Sequence, residues 1–258
     1  MGDGYNMING HMGVCYLDGI HPSVVMEYLD RTTNGTHHNY CTAWGYNFNG
    51  NLATDWVQRY TTWSRNDKSP WPAEFHMIRI CDSDLDGKDE MVEGGYTLDD
   101  NGKMLFSAGI GHGDRFRTGD INPDRPGLET YAVQQSSLLG QLLYDAKTGQ
   151  HIKEWYLGSV SDVGRGECMD VDAAHKGYEI FSTMANLYDC EGNVVTSGDT
   201  PFPTEGIWWD GELDREMLSA KDGNGFNAMV TKYNQNRLIQ FASESGWTVN
   251  AAYGCRPM

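Results

Sequence analysis

The stretch Asp82-Ser83-Asp84-Leu85-Asp86-Gly87-Lys88-Asp89-Glu90 decides how the rest of the chain is interpreted. Carboxylates at its first, third and fifth positions, followed by Gly87 for a sharp turn and by a late glutamate, form a loop that can wrap a hard cation. Calcium takes roughly six to eight oxygen ligands in flexible geometry. The alternative is an acidic turn without a metal, in which the carboxylates would repel one another. The predicted calcium ligands are Asp82, Asp84, Asp86, the carbonyl of Lys88, and Glu90.

The acidic loop recurs along the chain. Residues 120–129 have the same layout with a small insertion, residues 170–179 are a weaker copy, and residues 210–212 are a degenerate fourth. Successive copies begin 38, 50 and 40 residues apart, which is the range of four-stranded propeller blades. We therefore predict an all-β fold, part of a β-propeller, with several bound calcium ions. The further predicted ligands are Asp120, Asn122, Asp124, Glu129, Asp170, Asp172 and Glu179.

Composition narrows the class of protein. The 36 acidic against 19 basic residues give a net charge of −17, which disfavours nucleic acid as a partner because phosphates require Lys and Arg. No apolar run approaches the roughly 18 residues of a membrane span, and the N-terminus has no signal-peptide pattern. The six cysteines lack CxxC spacing, so we predict mostly buried thiols rather than a disulfide scaffold or a zinc site.

Short apolar runs separated by turns indicate many short strands. Residues 14–17 and 23–26 predict a strand, a turn and a strand, and Asn49-Gly50 predicts a hairpin turn. Residues 31–40 predict a loop or an irregular hairpin. Residues 213–220 are the one segment for which we predict a short helix.

Several polar residues occupy related places in the repeat. His76 lies six residues before the first acidic loop and Asp114 six before the second, with His112 and Arg165 beside the corresponding positions. In a propeller, equivalent positions of successive blades share one rim. We therefore predict that these four residues converge at one end of the central channel. Two histidines and an arginine there favour an anionic ligand.

Each of these residues has a structural alternative. Either histidine could be satisfied by hydrogen bonds within its strand, and Arg165 could pair only with Asp162 or Asp170. Trp208-Trp209 could stack on a sugar, but the sequence favours packing in the core. These alternatives would leave the rim without a ligand site.

A set of short motifs points to a known family. The motifs are Tyr16-Leu17-Asp18-Gly19, Pro22-Ser23-Val24-Val25-Met26, residues 84–90, residues 109–114, residues 124–129, Asp162-Val163-Gly164-Arg165-Gly166 and Gly206-Ile207-Trp208-Trp209-Asp210-Gly211. With these motifs in this order, the chain resembles the rhamnogalacturonan lyases of polysaccharide lyase family 11. The motifs span most of the chain, and together they are more specific than the acidic loop alone.

The resemblance implies an eight-bladed, calcium-rich β-propeller that cleaves the rhamnogalacturonan I backbone of pectin by β-elimination. It also implies that His76 and His112 coordinate calcium in a cleft. We further predict that Asp114 is a metal ligand and that His112 contacts the substrate. Arg165 corresponds to a substrate-contacting arginine considered as a catalytic base. Residues 1–258 are then one incomplete propeller, with blades missing at both ends relative to the family. We expect a secreted or cell-surface protein, monomeric at full length.

The chemistry sets the roles of these groups. β-Elimination beside a uronate removes the proton at C5, alpha to the carboxylate, and expels the oxygen at C4. A calcium ion neutralises the carboxylate and so makes that proton more acidic. Arg165 either takes the proton or binds the carboxylate while another residue acts as base, because arginine is normally protonated. The rival interpretation is a non-catalytic, calcium-stabilised propeller that binds a glycan or a protein; a hydrolase is a weaker rival.

Overall fold

The computed structural model describes residues 7–31, 37–46, 52–62, 75–135, 137–198, 200–219, 228–234 and 237–244. These residues contain twenty β-strands and no helix, so the all-β prediction is confirmed. The strands form five four-stranded sheets, and each sheet consists of four strands consecutive in the chain. Because every pairing within a sheet is antiparallel, each sheet is a simple meander.

The strands have the following bounds. The first sheet contains β1 (Met7–Cys15), β2 (Ser23–Arg31), β3 (His37–Tyr46) and β4 (Leu52–Thr62). The second contains β5 (Arg79–Cys81), β6 (Glu90–Val92), β7 (Tyr96–Leu98) and β8 (Met104–Ser107). The third contains β9 (Phe116–Gly119), β10 (Glu129–Val133), β11 (Ser137–Asp145) and β12 (His151–Ser161). The fourth contains β13 (Gly166–Met169), β14 (Glu179–Ser182), β15 (Asn186–Tyr188) and β16 (Val194–Ser197). The fifth contains β17 (Glu205–Ile207), β18 (Glu216–Ser219), β19 (Ala228–Asn234) and β20 (Arg237–Glu244).

The turns between third and fourth strands show how short polar segments end the hairpins. In the β11–β12 turn, Asp145 Oδ1 accepts the Thr148 amide at 2.9 Å, and in the β15–β16 turn Asp189 Oδ1 accepts the Asn193 amide at 2.9 Å. Gly149 has φ of 72°, and a Cβ there would lie 2.3 Å from the Phe106 ring. A larger residue at Gly149 would therefore clash as well as strain the backbone.

The chain divides into two compact units, Met1–Gly119 with Gly127–Asp162, and Asp120–Pro126 with Val163–Met258. In each unit, apolar faces of consecutive sheets pack together, and burying such a side chain contributes about 1.5–3 kcal/mol. In the first unit the first and second sheets share Cys15, Val25, Met91, Tyr96 and Leu98. The second and third sheets share a core that includes Val92, Phe116, Ala132, Leu142 and Tyr144. In the second unit the core is Met169, Val171, Phe181, Leu187, Met217 and Tyr233.

Several local predictions are settled by these elements. The predicted helix over residues 213–220 is wrong, because a loop leads into strand β18 at Glu216. The loop or irregular hairpin predicted over residues 31–40 is the β2–β3 hairpin, in which Arg31 pairs with His37. The turn predicted at Asn49-Gly50 lies outside the described residues.

The described cysteine side chains agree with the prediction of mostly buried thiols. Cys15, Cys168 and Cys190 are buried, Cys81 is partly buried, and none of these four described cysteines forms a disulfide. In the part of the chain that the structure describes, no helix is long and apolar enough to cross a membrane.

All four acidic loops occupy the same place in their sheets. Residues 82–89 join β5 to β6, residues 120–128 join β9 to β10, residues 170–178 join β13 to β14, and residues 208–215 join β17 to β18. In each of these four sheets, the strand that follows the acidic loop begins with a glutamate that is at most 1% exposed. The repeated loop is therefore a fixed feature of the first connection in these sheets. The four glutamates are Glu90, Glu129, Glu179 and Glu216.

Candidate metal and substrate site

The first acidic loop is held by hydrogen bonds between its carboxylates and its own backbone. Glu90 reaches back from β6, and its Oε2 accepts the amides of Ser83 at 2.6 Å and Asp84 at 3.3 Å. Asp82 accepts the amides of Asp86 and Gly87 through its two oxygens, both at 2.9 Å. These bonds fix the carboxylates on the inner side of the turn.

One group of carboxylates in this loop is suited to a cation. Single oxygens of Asp82, Asp84 and Glu90 lie within 4.8 Å of one another. Asp84 Oδ1 and Glu90 Oε1 are buried and have no hydrogen-bond partner among the described residues. Burial raises the pKa of Glu90 to about 7, while hydrogen bonds from the Ser83 and Asp84 amides act in the opposite direction. Buried, unpartnered anionic oxygens are stabilised by a bound cation, so these residues fit the predicted metal.

Two other predicted ligands of the first loop are placed differently. Asp86 is exposed, and its Oδ1 accepts the Lys88 amide at 2.9 Å. The Lys88 side chain turns to Asp100 Oδ2, 2.8 Å from its Nζ. Asp86 is therefore not part of the carboxylate group formed by Asp82, Asp84 and Glu90. The roles of Asp86 and of the Lys88 carbonyl as ligands stay predictions.

A second group forms where the segment before β5 meets the segment before β9. One ligand atom each of His76, His112 and Asp114 lies within 4.8 Å of the others. His76 Nε2 is 3.3 Å from Asp114 Oδ1, and the rings of His76 and His112 meet edge to face with centroids 4.8 Å apart. All three residues are partly exposed, so solvent or a ligand can reach them. We call these three residues the histidine cluster.

The neighbouring backbone explains why the histidine cluster forms. Phe75 and Gly113 pair in an isolated parallel bridge, which brings the two segments side by side. A Cβ on Gly113 would lie 2.0 Å from the Val133 carbonyl oxygen, so only glycine permits this approach. Gln135 then orients the second segment, because its amide donates to the His112 carbonyl at 2.9 Å and its Nε2 donates to Asp114 Oδ1 at 2.5 Å. Three of the four residues predicted to converge therefore lie together.

The third acidic loop repeats the bonding of the first. Glu179 Oε2 accepts the amides of Val171 and Asp172, both at 2.9 Å. Within the part of the chain that the structure describes, Glu179 Oε1 and Asp170 Oδ1 are buried and have no hydrogen-bond partner. Burial raises the pKa of Glu179 to about 8, as it does in the first loop for the equivalent glutamate. Asp172 also lies 3.3 Å from His175 Nδ1, so one of its oxygens already has a neighbour.

The second acidic loop is divided between the two units. Asp120, Asn122 and Asp124 belong to the second unit, and Glu129 belongs to the first. Asn122 Oδ1 accepts the Asp124 amide at 3.0 Å, and Lys176 Nζ pairs with Asp124. The predicted calcium site of this loop stays a prediction.

Arg165 lies directly before β13, in the second unit. Its amide donates to the Val163 carbonyl at 2.7 Å, and its own carbonyl accepts the Thr183 amide at 3.0 Å. The guanidinium is 5.8 Å from the centre of the Phe202 ring, and the residue is partly exposed. The backbone of Arg165 is thus well fixed, while its convergence with the histidine cluster stays a prediction.

The prediction that Trp208 and Trp209 pack in the core is wrong. Trp208 is 54% exposed and Trp209 is 61% exposed. The Arg215 guanidinium lies 4.5 Å from the centre of the Trp208 ring, which is cation–π distance. The reason is positional, because both tryptophans belong to the fourth acidic loop rather than to a strand.

Sequence reasoning also missed the closing glutamate of the fourth loop. The degenerate copy was placed at residues 210–212, but Trp209 donates its amide to Glu216 Oε2 at 2.8 Å, as Ser83 does to Glu90. The signal was present in the spacing, because Glu216 follows Trp208 by the same eight residues that separate Glu90 from Asp82. The substitution of Trp208 for an aspartate concealed it.

The fold and these loops define an all-β protein of repeated four-stranded sheets with candidate cation sites. Residues 2–257 match the C-terminal domain of rhamnogalacturonan lyase family 11. The chain belongs to this family.

Two curated relatives come from Bacillus subtilis (strain 168). The chain is 37% identical over 224 residues to rhamnogalacturonan endolyase YesW, an alignment that covers 85% of this chain and 34% of YesW. It is 33% identical over 232 residues to rhamnogalacturonan exolyase YesX, covering 84% of this chain and 36% of YesX. The chain thus spans about a third of the length of these relatives.

Solved structures agree with this assignment. The crystal structure of YesW matches with a TM-score of 0.79 at 31% identity, over 98% of this chain and 42% of that one. The structure of the exotype lyase YesX matches with a TM-score of 0.81 at 30% identity, over 98% of this chain and 43% of that one. The described sheets therefore correspond to part of a larger lyase fold.

Proposed function

We propose that this chain is part of the catalytic domain of a rhamnogalacturonan lyase, which cleaves the rhamnogalacturonan I backbone of pectin by calcium-assisted β-elimination. The observation that carries the proposal is the histidine cluster of His76, His112 and Asp114, which the structure brings together in a member of this family. The partly exposed imidazoles and carboxylate offer a cation site that a uronate can approach from solvent.

Each residue of the site has a distinct task in this proposal. His76, His112 and Asp114 would hold a calcium ion, whose positive charge neutralises the uronate carboxylate and acidifies the C5 proton. Arg165 would receive the carboxylate through bidentate hydrogen bonds or take the C5 proton. Gln135 would keep Asp114 oriented through the hydrogen bond to its Oδ1.

We also propose that the five sheets are blades of a β-propeller and that the acidic loops bind further calcium ions. Each sheet is a four-stranded meander, and consecutive sheets within each unit pack face to face. The unpartnered buried oxygens of Asp84, Glu90, Asp170 and Glu179 support cation binding in the first and third loops. A secreted or cell-surface location follows from the extracellular position of pectin.

A second function would use the same loops without catalysis. The acidic loops hold their shape mainly through local bonds, as Glu90 and Glu179 do with backbone amides, and such loops could serve stability alone. The chain would then be a calcium-stabilised propeller that binds a glycan or a protein.

Incubation with rhamnogalacturonan I separates these two functions. A lyase produces unsaturated uronate ends, which absorb in the ultraviolet, and this absorbance should grow with time and stop when a chelator is added. A binding module gives retention on immobilised rhamnogalacturonan I without new absorbance. Saturated ends with a fall in polymer length would identify a hydrolase and overturn the proposal.

The histidine cluster should affect substrate binding more than stability. Replacing His76 or His112 with Ala should weaken binding of rhamnogalacturonan I fragments about 10- to 100-fold, because each loss removes about 1.5–3 kcal/mol of interaction with a charged group. In excess chelator the melting temperature should change little, since both side chains are partly exposed. In calcium it should fall by no more than the loss of one bound ion causes. Calorimetric titration and thermal denaturation of each variant measure the two effects.

A matched control is available on β12. His151 is 34% exposed, close to the 32% of His76, and it bonds to Glu154 and the Ala108 carbonyl instead of the cluster. His151→Ala should leave substrate affinity unchanged. If a variant of the histidine cluster lost stability but its folded fraction bound the substrate with unchanged affinity, the histidines would be structural and not part of the binding site.

A further inference from the structure

The fourth acidic loop, residues 208–215, is closed by its glutamate in the same way as the first loop. Glu216 opens β18 as Glu90 opens β6, and both are buried. The amide of Trp209 donates to Glu216 Oε2 at 2.8 Å, and the amide of Ser83 donates to Glu90 Oε2 at 2.6 Å. In both loops the second oxygen of the glutamate, Oε1, is buried.

Backbone conformation supports the same alignment. Five residues before each glutamate the chain is left-handed, with φ of 62° at Leu85 and 82° at Gly211. The alignment places Trp208 where the first loop has Asp82, so the fourth loop has lost one carboxylate. The alignment also supplies Asp214, at the position of Lys88.

An ammonium group lies among the remaining carboxylates of the fourth loop. The Lys232 side chain is only 2% exposed, which is rare for lysine unless it is paired. Its Nζ lies 2.8 Å from Asp210 Oδ2, 2.6 Å from Glu212 Oε2, 3.1 Å from Glu216 Oε1 and 3.6 Å from Asp214 Oδ2.

Strand pairing explains how lysine reaches this position. Lys232 pairs with Glu216 across β18 and β19. In the third sheet the equivalent partner of Glu129 is Asp145, which accepts amides of the following turn. The β19–β20 pairing instead extends two residues further, to Asn234 and Arg237. Lys232 therefore lies within the strand, whereas Asp145 lies at the start of a turn. Extending the strand pairings of the second and fourth sheets by one residue places Asp99 opposite Glu90 and Asp189 opposite Glu179. Together with Asp145 of the third sheet, three sheets therefore have an aspartate where the fifth has Lys232.

The Lys232 ammonium offsets one of the four negative charges that surround it. Burial alone would lower the pKa of Lys232, but hydrogen bonds to Asp210, Glu212 and Glu216 outweigh it and hold the pKa well above its usual value. The ammonium therefore stays charged beside several carboxylates. A buried charge with such partners avoids the cost of an unpaired ion.

We infer that the Lys232 ammonium is the built-in cation of the fourth acidic loop and takes the place that a divalent cation takes in the metal-binding copies. This loop then holds its shape without a metal, and removal of the lysine side chain turns it into a divalent-cation site. The inference rests on the proposed calcium sites of the other loops. It predicts that the calcium dependence of stability does not extend to the fifth sheet.

Lys232→Ala tests this inference directly. After dialysis against a calcium buffer, elemental analysis should find one more calcium per chain in Lys232→Ala than in the wild type. The variant should melt lower than the wild type in chelator, and calcium should raise its melting temperature by more than it raises that of the wild type. Lys153→Ala, which removes the same charge from the edge strand β12, should bind as much calcium as the wild type.

A second variant decides the matter even if Lys232→Ala does not fold. Asp210→Asn in the wild-type background should leave the calcium content unchanged, because the lysine and not a metal occupies the loop. Loss of one calcium from Asp210→Asn, or a folded Lys232→Ala with unchanged calcium content, would overturn the inference. A wild type that binds no calcium at all would instead reject the proposed calcium sites, and Lys232→Ala would still report on the fourth loop alone.

Discussion

Removal of calcium should lower the melting temperature of this chain substantially. At about 100 times its dissociation constant, an ion that binds only the folded state stabilises it by about 2.7 kcal/mol per site. For a domain of this size, that corresponds to a melting temperature about 5–10 °C lower in excess chelator for each site lost. Thermal denaturation followed by circular dichroism, with calcium and with chelator, measures the difference. A melting temperature that excess chelator leaves unchanged would defeat the calcium proposal.

The first loop allows a sharper form of this test, because its effect should change sign. Oxygens of Asp82, Asp84 and Glu90 lie within 4.8 Å of one another. At that separation two unit charges repel by about 3 kcal/mol at an effective dielectric constant of about 20. Asp84→Asn removes one charge with little change in shape. It should therefore melt lower than the wild type in calcium and at the same temperature or higher in chelator.

The control for Asp84→Asn lies outside the acidic loops. Glu191 is an exposed acidic residue of the β15–β16 turn, with Oε2 accepting from Asn193 Nδ2 at 3.2 Å. Glu191→Gln should shift the melting temperature equally, if at all, in calcium and in chelator. If Asp84→Asn behaved in the same way, its carboxylate would be structural and the loop would bind no metal.

Much of this fold was predictable because its signals are local. Asp82, Asp84 and Glu90 lie within nine consecutive residues, so one short stretch was enough to predict the acidic loop. The recurrence of that stretch indicated a repeated all-β fold, which the five four-stranded sheets agree with. The approach of His76 to His112 was also predictable, since both precede the first strand of a sheet and the repeat fixes their phase.

The parts that could not be predicted depend on contacts across strands. The short helix predicted over residues 213–220 is strand β18 from Glu216 onward, and the Glu216 carboxylate closes the fourth loop. Lys232 follows Glu216 by 16 residues, as Asp145 follows Glu129, whereas Asp99 follows Glu90 by nine. The spacing varies between copies, so it does not identify this position without the strand register. Only the register of β18 with β19 places the ammonium in the loop.

Arg165→Ala should abolish β-elimination in a preparation that shows lyase activity. If Arg165 is the base, its loss should lower kcat about 100- to 10,000-fold, the usual contribution of general base catalysis. If it binds the uronate carboxylate, KM should rise as well. Its backbone is held by Val163 and Thr183, so the fold should tolerate the change and the calcium-dependent melting temperature should stay nearly the same.

Arg165→Lys separates the two roles of the arginine. Lysine restores the positive charge without the planar fork, so substrate binding should recover in part if Arg165 clamps the carboxylate. Arg215→Ala is the matched control, because Arg215 also lies over an aromatic ring in the same unit but belongs to the fourth acidic loop. It should keep lyase activity. Full activity in Arg165→Ala would exclude both the base and the clamp, and the reacting groups would then have to lie on another part of the lyase.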